Sequence, residues 1–167
     1  DQTALIAGIE RPAEEVDVAS AVRSLNRLDA WMGQRYRDIH KEPKPEDYVP
    51  SSTDALFLYG RSFFLKDHPL DSTAKTAVEF FLKQTRLHGL KVNSRQSQAH
   101  LAIALKRWGG EANLAAARDL MRSLRERAVT DDEMGMFWRD TELSWWWYRA
   151  PIETQAMMIE AFDEVEA

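Results

Sequence analysis

The sequence predicts an all-α fold, an array of helical hairpins, on three observations. Apolar residues recur at steps of three and four through most of the 167 residues. Helices apolar nearly all round alternate with helices apolar on one side, as expected of a buried row and an outer row. A hydroxyl–polar–alanine motif also comes back three times, at Thr53-Asp54-Ala55, Ser97-Gln98-Ala99 and Thr154-Gln155-Ala156, with its alanines 44 and 57 residues apart. A period of about 40–47 residues belongs to stacked helix pairs, and a single insertion accounts for the longer interval. Such an array either runs open as a solenoid or closes into an α/α toroid.

The first helix is expected from Pro12 to His40, where Val18, Val22, Leu25, Leu28, Met32, Tyr36 and Ile39 form one stripe. Glu14 and Glu15 in its first turn, and Arg35, Arg37, His40 and Lys41 in its last, suit the helix dipole. Lys41-Glu42-Pro43-Lys44-Pro45 ends it, because proline removes a donor and disfavours helix in the residue before it. Ser51 or Ser52 caps the next helix, which runs to Leu65 and is apolar nearly all round. Ala74, Ala77, Val78, Phe81 and Leu82 then make a one-sided helix ending at Gly89. Ser94 to Trp108 is again apolar on most faces and stops at Gly109-Gly110. Leu114, Ala117, Met121, Leu124 and Ala128 give another outer stripe. Pro151, suited to a first helical turn, opens the last inner helix, Ile152 to Val165.

Between Val129 and Ala150 the helical period disappears. This insertion holds four of the six tryptophans, Trp138, Trp145, Trp146 and Trp147, beside Met134, Met136, Phe137 and Tyr148. Aromatic runs on either side of Asp140-Thr141-Glu142 predict a short tryptophan-rich β-hairpin or loop turning there. Two roles stand open for it: a stacking platform for sugar rings or a partner protein, or a plug filling gaps between helices. Trp138, Trp145, Trp146, Trp147 and Tyr148 are the candidate binding or interdomain-contact residues.

Composition excludes several chemistries. The chain has no cysteine, so disulfides, thiolate metal sites, cysteine nucleophiles and internal thioesters are ruled out. A formal charge of −5 offers no basic field for a phosphate backbone, so nucleic acid is not an expected partner. No run approaches the roughly 18 apolar residues of a transmembrane helix. His40, His68, His88 and His100 are scattered without metal-ligand spacing, and no metal or cofactor is expected. His40 and His88 fall at helix C-termini, and His100 reads as a core histidine. Asp131, Asp132, Glu133, Asp140, Glu142 and Glu153 are the carboxylates from which a glycosidase pair would be drawn. Arg118, Arg122 and Arg125 share one helix face, expected to be solvated.

Glu133-Met134-Gly135-Met136-Phe137-Trp138, followed by Trp145-Trp146-Trp147-Tyr148-Arg149-Ala150-Pro151-Ile152-Glu153-Thr154-Gln155-Ala156, resembles the bacterial alpha-2-macroglobulin family. The segments from Ser51 to Phe64 and from Ser94 to Ala104 are similar to the same family, so the resemblance covers roughly residues 15–167. It implies a segment of the α/α toroid called the thioester domain in these proteins. It also implies protease inhibition by entrapment, in the periplasm or associated with the cell envelope or outer membrane of a bacterium. The family's Cys-Gly-Glu-Gln thioester has no counterpart in this cysteine-free chain, so no thioester residue carries over.

The expectation is therefore one domain, residues 1–167, taken as a piece of a larger multidomain chain and without catalytic residues. Its partners would be sibling domains and, through the whole parent protein, target proteases. The alternative is an α/α-toroid carbohydrate-active enzyme or carbohydrate-binding module that uses the tryptophan-rich segment.

Overall fold

A computed structural model describes residues 18–139 and 151–166, in which six helices and one two-stranded hairpin follow one another along the chain. The helices are α1 (Val18–Ile39), α2 (Ser52–Ser62), α3 (Ser72–His88), α4 (Arg95–Trp108), α5 (Glu111–Glu126) and α6 (Pro151–Glu166). Their N-termini are fixed by side chains where the sequence offers them. Ser51 and Asp54 close a reciprocal capping box at α2, Asp71 accepts from the Ala74 amide at α3, and Ser94 accepts from the Ser97 amide at α4. Between α4 and α5 the chain reverses over Gly109 and Gly110, whose φ values of 72° and 87° suit glycine best.

The helices form two rows. In the inner row α4 lies between α2 and α6; in the outer row α3 packs against α1 and α5, and α5 backs onto α4 and α6. The alternation expected from the sequence is thus present, with α2, α4 and α6 as the inner helices. Phe81, Leu58, Leu101, Ile103, Leu105, Leu120, Met121, Leu124 and Met158 fill the space between the rows, all fully or almost fully buried.

Row position decides how far each inner helix is covered. The central helix, α4, is buried continuously from Ser97 to Leu105, as its all-round apolar character predicts. At the two ends of the row the prediction of complete burial fails. Leu56 on α2, Phe63 and Phe64 just after it, and Ile152 and Ile159 on α6 are exposed. A helix at the end of a row has one neighbour in the row instead of two. The repeated motif shows a related drift: Ala55 and Ala99 are fully buried, whereas Ala156 is exposed. It begins at the second residue of α2, the third of α4 and the fourth of α6.

One element boundary also differs from expectation. α2 ends at Ser62 rather than Leu65, because Arg61 reaches forward to the Phe64 and His68 carbonyls and holds residues 63–68 in turns. The hairpin pairs β1 (Val129–Asp131) with β2 (Gly135–Phe137), Thr130 opposite Met136, so it turns at residues 132–134. Asp131 Oδ1 accepts the amides of Glu133 and Met134, which holds its carboxyl below the usual range, and Gly135 follows at φ 76°. The turn expected at Asp140-Thr141-Glu142 lies outside the described residues.

Candidate functional site

The insertion is anchored by Trp138, the residue that directly follows β2. Its indole is only 3% exposed; Nε1 donates to the Leu124 carbonyl at 2.7 Å, and its ring packs on Phe162 with centroids 5.8 Å apart. Trp138 therefore plugs the seam between α5 and α6, and of its two open roles the structural one describes its surroundings. Trp145, Trp146, Trp147 and Tyr148 lie outside the described residues.

Other candidates separate rather than converge. Glu153 sits in the first turn of α6, where a carboxylate is favoured by the helix dipole. Asp131 is committed to the hairpin turn. Arg122 pairs with Asp119 and Arg125 with Glu166, and Arg118, Arg122 and Arg125 are all exposed. Among the described residues no group of three or more His, Asp or Glu side chains is placed to hold a metal. No helix among them is long and apolar enough to cross a membrane.

His40 bonds the Tyr36 carbonyl at 2.9 Å through Nδ1 and rests against Tyr36 and Phe80. His88 reaches the Glu46 carbonyl at 2.9 Å through Nε2. His100 is 7% exposed and stacked on Tyr59, and burial pushes its imidazole down to about 4. It is a neutral core histidine near pH 7.

Two polar clusters were not anticipated. One joins all three inner helices. Arg107 of α4 holds both oxygens of Glu164 at 2.6 Å and reaches Glu160 at 3.0 Å, while its guanidinium lies 4.0 Å from the Phe63 ring centroid. Tyr59 donates to Glu160 at 2.8 Å; burial first, then this bond, pushes the phenol up to about 12. The second cluster sits at the α1–α2 corner, where the fully buried Asp54 carboxylate accepts from the Ser51 amide, Ser51 Oγ, Tyr48 and Arg35. Both are internally satisfied and tie helices together. The Arg107 cluster has no sequence signature, since partners 53 and 57 residues apart follow no local spacing, whereas the second is built on the Ser51–Asp54 capping box, to which Arg35 and Tyr48 are added.

Exposed large apolar side chains are spread over the described surface, Leu87 and Leu90 around the end of α3 and Met134 and Met136 in the hairpin among them, and two sets lie at the ends of the array. At one end Leu28 and Trp31 of α1 and Leu56 and Phe64 beside them rim a groove of about 340 Å³. Beneath it runs a buried ion pair, Arg61 Nε to Asp29 Oδ1 at 3.0 Å. At the other end Ile152 and Ile159 are 80% and 72% exposed on α6.

No family model, curated protein or solved structure matches the chain.

Proposed function

We propose that the chain is a non-enzymatic module of a bacterial alpha-2-macroglobulin-like protease inhibitor, working inside a longer polypeptide that entraps proteases. One observation carries the reading beyond the wording of the sequence. Part of the exposed apolar surface sits at the two ends of the helical array, Leu28 and Trp31 with Leu56 and Phe64 at one and Ile152 with Ile159 at the other. Apolar side chains grouped in this way mark surfaces that meet other protein. A module that packs against sibling domains has that requirement, and it brings no catalytic residue of its own. In this reading the parent protein acts in the periplasm or at the cell envelope, and the target protease is engaged by the assembly as a whole.

Hydrogen exchange tests the carrying observation. The amides of α6 are compared in the 167-residue chain and in the longer polypeptide. Slower exchange around Ile152 and Ile159 in the longer protein is the expected result. Identical exchange in both would remove the packing argument.

A further inference from the structure

Two surfaces at opposite ends of the array are matched to each other. On α2, Thr53, Leu56 and Gly60 line the apolar groove, a small–large–small order along one helix face, with Leu28, Trp31 and Phe64 as its walls. On α6, Ile152, Ala156 and Ile159 are exposed at steps of four and three, a large–small–large order along one stripe. Thr53 to Gly60 and Ile152 to Ile159 are both steps of seven residues, about 10 Å of helix.

We propose that the groove takes α6 of a second copy of this chain, with Ile152 and Ile159 seated over Gly60 and Thr53 and with Ala156 leaving room for Leu56. The contact joins one end of a copy to the opposite end of the next, so it is head-to-tail. It extends the inner row by a contact of the kind that the row already uses, where α4 packs between α2 and α6.

Gly60 supports a close approach at this place. It lies inside α2, where glycine is costly relative to alanine. Among the described residues no atom stands within 4 Å of the position that a Cβ would take. Packing within the described fold therefore supplies no use for glycine there, whereas a neighbouring helix laid over the groove does.

Charge selects α6 as the occupant. It carries five acidic residues and no basic one, and Glu153 and Asp163 are exposed beside its apolar stripe. α1, which walls the groove, carries four arginines against two aspartates, and Arg27 is exposed next to Leu28. Opposite signs meet when α6 enters the groove, and like signs meet when groove faces groove or α6 faces α6. In a longer polypeptide, a sibling domain seated on either end competes with this contact.

Sedimentation equilibrium of the 167-residue chain, from about 5 to about 500 µM, tests the proposal. The weight-average mass is expected to rise with concentration, and a monomer throughout the range overturns the idea. Two variants separate the two halves of the contact. Ile159→Lys spoils the α6 stripe and keeps the groove, whereas Gly60→Leu fills the groove and keeps the stripe. Each variant alone should be monomeric. An equimolar mixture should give a heterodimer and nothing larger, because only one groove and one stripe remain intact in the pair. That heterodimer also shows that both variants are folded. Association that survives in either variant alone, or a mixture that stays monomeric, contradicts head-to-tail docking. No protease enters these measurements, so their failure leaves the entrapment reading to its own assay.

Discussion

Arg107 Nε and Nη2 meet the two carboxylate oxygens of Glu164 at 2.6 Å each, a bidentate pair that locks α4 to α6 across 57 residues of sequence. The same guanidinium lies over Phe63 and bonds Glu160, which in turn accepts from Tyr59. One side chain thus joins the three helices of the inner row.

Replacing Arg107 by Ala is expected to lower unfolding free energy by about 2 kcal/mol, because hydrogen bonds to charged groups and the ring contact are lost together. Arg107→Lys should recover less than half of this, since an ammonium cannot reproduce the paired fork. Urea unfolding of the two variants measures both. An unchanged midpoint for Arg107→Ala would show that the cluster is ornamental.

His100 should make the fold acid-sensitive. Its pKa falls from 6.5 to about 4 on burial, so folding favours the neutral ring. That contribution is intact above pH 6.5 and is lost as pH falls toward 4, by about 3 kcal/mol across the window. The difference in stability between wild type and His100→Gln, followed from pH 7.5 to pH 4, should shrink or reverse. A constant difference would contradict a neutral buried imidazole.

At the alkaline end the phenols of Tyr48 and Tyr59 are pushed from 10 to about 12, chiefly by burial and next by Asp54 and Glu160 respectively. Folding favours their neutral forms, so stability should hold up to pH 10 and decline as pH rises through 12. Absorbance at the phenolate band, compared for wild type and the Tyr48→Phe and Tyr59→Phe variants, reports it. Titration of either phenol at its ordinary pH in the folded chain would refute the placement.

Trp138→Phe removes the bond to the Leu124 carbonyl in a buried seam and should cost about 1–3 kcal/mol. By contrast, an Ile152→Ser/Ile159→Ser double variant should leave the stability of the 167-residue chain within about 0.5 kcal/mol of wild type, as both side chains are exposed. Thermal unfolding checks both predictions.

The helices and their division into two rows were legible because they follow local periodicity, and Gly109-Gly110 and Ser51 mark their ends directly. Burial at the row ends was not, because Leu56 and Ile159 have the same local pattern as buried residues of α4 and differ only in lacking a neighbour. The hairpin over residues 129–137 lies inside the expected insertion, and its turn is marked by Asp131 and Gly135 rather than by aromatic residues. Of the candidate site, the structural role of Trp138 was one of two readings open from sequence. The Arg107 cluster, assembled from distant positions, left no pattern to read, and of the Asp54 cluster only the Ser51 cap was legible.

The central claim is that this chain is a module of a protease trap, and one assay on the longer polypeptide addresses it directly. A general protease is added, and cleavage of a large protein substrate is compared with cleavage of a small chromogenic peptide. Entrapment predicts that the first is lost while the second persists. If both activities continue undiminished while the polypeptide itself is visibly cut, it is no trap, and the proposal is contradicted.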